Sequence, residues 1–195
     1  MNWLQSIDFA FFHWINTDLS NPVFDVVLPL CRDKFFWAPF YVFIAAFMLE
    51  NFGARSGGVI LIGLVLAVGL SDFTSSELIK KNVQRVRPCN DIRYSNQVIA
   101  RAPCGSGYSF TSSHAANHFA VAVYLCTLIG FKKRWATPVL LLWAGVVSVS
   151  QVYVGVHYPL DVLSGGVLGA TISFGVGITI RQFGGIPSSR NKKSG

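Results

Sequence analysis

The sequence predicts an all-α integral membrane protein: a bundle of about five transmembrane helices, possibly six, preceded by interfacial amphipathic helices at the N-terminus. Two observations predict it. Of 195 residues, 52% are hydrophobic and 13% charged, whereas soluble domains carry about 25% charged residues. The apolar residues also gather into runs of membrane-crossing length, separated by polar stretches. No repeat of fixed period divides the chain, so residues 1–195 are expected to form a single membrane-embedded domain. The 16 Lys and Arg against 9 Asp and Glu give a net charge of +7. In so apolar a chain that excess bears on membrane orientation, and no feature of it points to nucleic acid.

Residues 1–31 are read as interfacial. Met1 to Ser20 lacks the basic segment that opens a cleavable signal peptide. Leu4, Ile7, Phe11, Trp14 and Ile15 recur at helical spacing, which suits an amphipathic helix lying in the interface, with His13 as an interfacial polar residue. Asn21-Pro22 breaks the chain, and Val23 to Leu30 is too short to span, so it is expected to be a second in-plane helix. Residues 35–181 hold the core. Phe35 to Phe52 is the first span, anchored by Trp37 and Tyr41, and Gly58 to Lys80 is the second. Asp72 lies about 20 Å along that helix from Val59, inside the hydrocarbon. An acid there costs roughly 3 kcal/mol, so it should face a polar interior, with a basic neighbour as one expected partner. A polar loop follows at 89–110. Ala115 to Phe131, Trp135 to Val154 and Leu160 to Ile180 are the third, fourth and fifth spans, and 184–195 reads as a flexible basic tail.

Basic residues set the orientation. Arg55, Lys132, Lys133, Arg134, Arg181, Arg190, Lys192 and Lys193 fall on one side with Glu50, while the other eight basic residues share their side with the remaining acids. The first side is therefore expected to be cytoplasmic, which puts Lys80, the 89–110 loop, His157 and the N-terminus outside.

Three constellations meet on that outer face. Lys80 and Arg87 are seven residues apart, nearly two helical turns, so they point the same way if the helix continues to Val86; Pro88 then turns the chain. Thr111-Ser112-Ser113-His114 puts hydroxyls and a histidine at a helix start, where free backbone N–H groups and the positive dipole end suit phosphate. Ser150 to Asp161 puts His157 just ahead of a helix that begins at Pro159. Asp161, in its first turn, can take one ring N–H and leave the other nitrogen free to attack. Alone, each has a plainer explanation: lipid headgroup binding, N-capping, and capping again.

Together they resemble the type 2 phosphatidic acid phosphatase superfamily of membrane lipid phosphatases. Its first motif is a lysine, six residues, then Arg-Pro, met by Lys80, Arg87 and Pro88. Its second, Pro-Ser-Gly-His, is met by Ser112 and His114, with Thr111 and Ser113 replacing the proline and glycine. Its third, Ser-Arg, five residues, His, three residues, Asp, is met by Ser150, His157 and Asp161, with Gln151 in the arginine position. The resemblance covers roughly residues 58 to 181. It implies that His157 is a nucleophile forming phosphohistidine, that Asp161 orients it, and that His114 protonates the leaving oxygen. It further implies that Lys80, Arg87, Ser112, Ser113, Ser150 and Gln151 hold the phosphoryl oxygens. Gln151 brings no charge, so phosphate binding is expected to weaken or to lean on Arg85 or Lys81.

No cofactor or metal is implied: the acids are scattered and the cysteines lack zinc spacing. The expected activity is metal-independent hydrolysis of a lipid phosphate or pyrophosphate at the outer face of a bacterial-type inner membrane. Undecaprenyl pyrophosphate, phosphatidylglycerol phosphate, lipid A phosphate and phosphatidic acid all fit. The expected partners are that substrate and membrane lipids, with no obligate protein partner. A transporter or lipid-binding protein using Asp72 and Glu77 is the rival from another class, told apart by phosphate release. A vanadium haloperoxidase would share the pocket, but five apolar spans argue against that soluble fold. Four cysteines allow three complete pairings. Cys126 lies within a span and Cys31 remains a competitor, but Cys89 and Cys104 share one polar loop on the oxidising side, beside Pro88 and Pro103, and are the favoured bridge.

Overall fold

The computed structural model describes residues 3–33, 35–94, 96–130 and 135–185. Phe131, Lys132, Lys133, Arg134, Arg190, Lys192 and Lys193 lie outside these, as does the expected tail from residue 186 on. Among the described residues all regular structure is helical. α1 (Trp3–His13) runs into a π-helical turn, Trp14–Asp18; α2 is Pro22–Arg32; α3 is Ala38–Phe73, leading through a π-helical segment, Thr74–Ile79, into the short α4, Lys80–Val83. α5 (Ser113–Leu125) continues as Cys126–Gly130, and α6 (Ala136–Tyr153) and α7 (Pro159–Phe183) complete the bundle. Among the described residues three stretches, Ala38–Tyr94, Ala136–Tyr153 and Pro159–Phe183, are long and apolar enough to cross a membrane.

The first two expected spans form one helical run broken at Gly53, whose φ of 76° and ψ of 163° are non-helical. A side-chain carbon on Gly57 would stand 2.7 Å from the Met48 carbonyl oxygen and 2.9 Å from the Leu49 Cα. In a straight helix residues nine apart are about 13 Å apart along the axis, so the chain reverses here. The reversal takes one glycine because Gly alone adopts positive φ without strain. Arms 38–52 and 54–73 therefore double back on each other. A second boundary also differs from expectation. The helix carrying Lys80 stops at Val83, where Gln84 turns left-handed at φ 52°, instead of running on to Val86.

α5 is the central helix, packing mainly on α7 and also on α6 and α3. Its Val121, Tyr124 and Leu125 meet Ile60 and Ala67 of α3 and Leu140, Ala144 and Val147 of α6 in the main core. Tyr124, buried in that core, donates its hydroxyl to the Ile60 carbonyl at 2.8 Å. The contact with α7 is closer still. Gly165, Gly169, Ser173 and Gly177, four residues apart, are all buried. A Cβ on Gly165 would strike the Ser112 carbonyl, one on Gly169 the Ala116 carbonyl, and one on Gly177 would sit 3.0 Å from the Thr127 Cβ. This is the small-residue stripe that lets two apolar helices pack backbone to backbone. Both helices start at the same end, and Ser112 N donates to the Asp161 carbonyl at 2.9 Å. His114 and the His157–Asp161 turn are thereby brought side by side.

The N-terminal helices do more than lie alongside. α1 turns Leu4, Ile7, Phe11 and Trp14 outward, as an interfacial helix would, but its opposite face buries Asp8, Phe12 and Asn16. Asn16 clips the loop to the α6–α7 turn, donating to Tyr153 O at 2.7 Å and Ile99 O at 2.9 Å and accepting from Ile99 N at 2.8 Å. α2 starts on an Asn21 cap, whose side chain accepts from Val23 N and Phe24 N, with Pro22 in the first turn. Asp25 then ties it to the Tyr153 hydroxyl at 2.7 Å and Arg101 at 2.6 Å, and Trp37 donates to the Cys31 carbonyl at 2.7 Å.

The α5–α7 contact predicts an unequal pair of glycine substitutions. Gly169→Ala forces the helices apart and is expected to cost about 1–3 kcal/mol, lowering the melting temperature of the detergent-solubilised protein by several degrees. Gly175→Ala, which meets open space, should leave it unchanged or slightly raised. Equal melting temperatures for the two variants would contradict this packing.

Candidate active site

The α6–α7 turn carries the histidine. Gly155 takes φ 86° where a side chain would press on the Ile99 carbonyl at 3.0 Å, and His157 N donates to Gln151 O at 3.3 Å. His157 is 2% exposed. Pro159 opens α7, and Tyr158 N donates to Asp161 Oδ2 at 2.8 Å. The fully buried Asp161 carboxylate accepts from Arg85 Nη1 at 2.7 Å through Oδ1, and from the Ser109 hydroxyl through Oδ2. His157 Nδ1 stands 3.6 Å from Oδ2, within ion-pair range and just beyond a formed hydrogen bond. Such contacts are commonly long before substrate binds. Asp161 thus faces one ring nitrogen and leaves Nε2 turned away. Burial, reinforced by Lys80 and Arg87 and opposed by Asp161, holds the His157 imidazole below the ordinary histidine pKa, which favours the neutral, nucleophilic form.

Arg85 is not available as a phosphate ligand. Its other terminal nitrogen donates to Asp8 Oδ2 at 2.5 Å and its guanidinium lies 4.0 Å over the Tyr158 ring. Asp8, from α1, accepts in turn from Leu160 N at 2.8 Å, satisfying an orphan N–H in the first turn of α7. Burial raises its pKa, with Arg85 and Leu160 pulling the other way. Lys81, the other expected substitute, pairs with Glu77 on the exposed side of the helix. Neither residue makes up for the missing charge at Gln151.

Three other cations gather about His157, His114 and Gln151. Lys80 and Arg87 both act electrostatically on His157, and Arg87 is held by Nε donating to Gly107 O at 2.8 Å. The left-handed turn at Gln84, rather than continuous helix, brings the pair together. The third is Arg32, at the end of α2, whose Nε lies 3.3 Å from Gln151 Oε1. Among the described residues none of the three has a carboxylate within ion-pair distance, whereas Arg85, Arg93, Arg101 and Lys81 all do. Cations unpaired by carboxylate and gathered in this way are free to make charge-assisted hydrogen bonds to an anion.

The N-terminus of α5 adds neutral donors. Ser112 is the N-cap, accepting from Ala115 N at 3.4 Å, which leaves the N–H groups of Ser113 and His114 in the uncapped first turn. The Ser113 hydroxyl bonds to Ser75 at 3.0 Å and Ser76 at 2.9 Å, so this residue offers its backbone to the site. Ser150 departs from expectation: fully buried, it donates its hydroxyl to Val147 O at 2.7 Å inside α6 and presents no proton to the site.

His114 borders a cavity lined by Tyr41, Asp72, Ser113, Asn117 and His118, with Leu64, Val65, Val68 and Val121 as its apolar wall. His118 lies one turn below His114, its ring stacked at 6.4 Å. Its Nδ1 donates to His114 O at 2.8 Å, so Nε2 accepts from the Tyr41 hydroxyl at 3.1 Å. Asp72 faces the interior, but its partner is the Asn117 amide at 2.9 Å, a neutral donor in place of the basic one expected. Cys89 and Cys104 are disulfide-bonded with Cα atoms 5.9 Å apart, closing the loop between the first two motifs.

Residues 60–183 match the family model of the PAP2 superfamily. The chain belongs to this superfamily. Its relatives include a lipid A 4'-phosphatase of Bacteroides thetaiotaomicron, 30% identical over 87% of this chain and 75% of that protein. An undecaprenyl-diphosphatase of Sulfolobus acidocaldarius is 31% identical over 72% of this chain and 62% of its own length. Among solved structures, a transmembrane PAP2-type phosphatidylglycerolphosphate phosphatase from Bacillus subtilis superposes with a TM-score of 0.69 at 25% identity, covering 94% of this chain and 89% of that one. LpxE of Aquifex aeolicus shares the fold at a TM-score of 0.60 and 22% identity, covering 87% and 94%. Family and neighbours make this PAP2 chain a membrane hydrolase of phosphoric monoesters or lipid pyrophosphates.

The motifs missed Asp8, Arg32, Asn16 and His118, which lie outside them. The signal for α1 was present: Asp8, Phe12 and Asn16 recur every four residues opposite the apolar stripe. For His157, the buried ring should titrate below the ordinary value near 6.5. An NMR titration of histidine-labelled protein is expected to find its neutral form persisting as the pH falls through 6.5; a midpoint above that value would contradict the burial.

Proposed function

We propose that this protein hydrolyses a lipid phosphate or pyrophosphate without a metal ion, by way of a phosphohistidine on His157. The observation that carries the reading is the set of cations unpaired by carboxylate, Lys80 and Arg87 foremost, gathered about a buried imidazole whose Nδ1 faces Asp161. In the first step His157 Nε2 forms a bond to phosphorus while the bond from phosphorus to the leaving oxygen breaks. Burial and the neighbouring His118 and Arg32 lower the His114 pKa to about 3. His114 therefore takes up its proton together with the anionic substrate, whose charge offsets those cations, and passes it to the leaving oxygen, while Asp161 stabilises the charge left on the His157 ring. In the second, His114 takes a proton from water as the water oxygen bonds to phosphorus and the P–N bond breaks, releasing phosphate and neutral imidazole. Lys80, Arg87, the Gln151 amide, and the N–H groups of the α5 first turn beside Ser112 and Ser113 would hold the phosphoryl oxygens as charge spreads over them.

The cavity beside His114 supports a lipid leaving group, since its polar residues lie next to the catalytic end and its walls are apolar. The names of the relatives support lipid A, polyprenyl and phosphatidylglycerol phosphates as the substrates to try. Five membrane crossings with the site outside account for the Gly53 reversal, which divides α3 into two arms. Arg55 and Arg181 then share the opposite end of the bundle, where Gly184 meets Val59. The disulfide supports an oxidising face and hence the outer side of a bacterial-type inner membrane. A buried histidine among these cations favours hydrolysis over a transport passage.

Phosphate release by the purified protein from those lipids, with and without chelator, tests the reading. Turnover insensitive to chelator and abolished by His157→Ala is expected; a His157→Ala variant within tenfold of the wild type would overturn the mechanism. His114→Ala should slow an alkoxide leaving group far more than nitrophenolate, which needs little protonation. Equal losses on both would remove His114 from the acid role.

A further inference from the structure

The superfamily's third motif expects an arginine where this chain has Gln151, and the site is not neutralised by the change. Gln151 is fully buried. An arginine side chain can only donate hydrogen bonds, so the Gln151 carbonyl oxygen must face Arg32. That orientation leaves the amide nitrogen, Nε2, as a buried donor with no partner among the described residues, and a buried donor without an acceptor is costly enough to need a reason. Arg32 itself could have served only as a basic residue at the end of α2, turned to the last carbonyls of its own helix. Instead it crosses to α6, and its charge acts on both Arg87 and His114. Among the described residues Gln151 is the one group that accepts from Arg32, so its terminal nitrogens remain unclaimed. The helix end that carries it is fastened by Asp25 to Tyr153 and Arg101, and by Trp37 to Cys31 O.

We propose that Arg32 and Gln151 together replace the missing motif arginine, Arg32 supplying the positive charge and Gln151 an amide donor to the same phosphoryl group. The phosphate site is thus completed from α2, a segment outside all three motifs. An arginine introduced at 151 would put two guanidiniums face to face. The proposal rests on the phosphatase reading above.

The test is a charge swap, read by inhibition with inorganic phosphate and vanadate and by kcat/KM, with melting temperatures as the check on folding. Arg32→Gln is expected to weaken phosphate and vanadate binding by about ten- to a hundredfold, the scale of one charge-assisted hydrogen bond. Gln151→Arg alone should also lose activity. The double variant Arg32→Gln/Gln151→Arg should recover most of the loss, because the charge is restored in the motif's own position. Arg32→Lys, which keeps charge but not the fork, should fall between. Unchanged phosphate inhibition in Arg32→Gln would overturn the proposal, and so would a double variant whose loss equals the sum of the singles. A wild-type protein that releases phosphate while Arg32→Gln behaves identically refutes this inference alone. A wild-type protein that neither binds nor releases phosphate refutes the phosphatase reading beneath it.

Discussion

A carboxylate sealed from water must be surrounded by donors, and the end of this bundle is built around meeting that demand for Asp161. Its acceptors are filled from three parts of the chain: Arg85 after the second arm of α3, Ser109 at the end of the loop, and the Tyr158 N–H at the start of its own helix. What remains is the imidazole of His157, one helical turn away. Remove the carboxylate and Arg85 keeps only Asp8, the Tyr158 N–H is orphaned, and no charge remains to orient the ring. Breaking a buried, paired charge of this kind costs about 3–5 kcal/mol, so the group that aims the histidine also holds the surrounding segments in place.

Helix packing determines which groups can reach that node. The Gly165 and Gly169 crossing brings α5 against α7 at backbone distance, so the two helix N-termini open onto a common space. Their positive dipole ends and the unpaired cations Lys80, Arg87 and Arg32 all bear on one small volume. The disulfide and the Asn16 clip hold the intervening loop against the α6–α7 turn, which steadies Arg87 through Gly107. The groups gathered about His157 thus sit mostly on helix ends or just beyond them, fixed by neighbours on other helices.

The legible part of the site is the part written in local spacing. His157 and Asp161 are four residues apart beside a helix-starting proline, and Ser112 and His114 straddle a helix start; in each case the spacing carries the geometry. The apolar runs likewise announced a membrane protein and the two arms of α3. The illegible part consists of long-range partners. Arg32 meets Gln151 across 119 residues and Asp8 meets Arg85 across 77, and no periodicity connects such pairs. α1 shows the bias this creates. Its apolar stripe suggested an interfacial helix, and that stripe does face outward, yet the same helix delivers a buried aspartate to the site. The end of α4 misled for a different reason: residue types allow helix to Val86, but the chain turns left-handed at Gln84, and Arg85, the next residue, pairs with two carboxylates distant in sequence.

The central claim is that His157 carries the phosphoryl group between the two half-reactions. It is tested most directly by mixing the protein with a lipid phosphate substrate, quenching rapidly in alkali, where phosphohistidine survives, and mapping the phosphorylated peptide by mass spectrometry. The account predicts phosphate on the imidazole of His157, appearing within the first turnover and decaying as free phosphate accumulates. Phosphate mapped to another residue during productive turnover would contradict it.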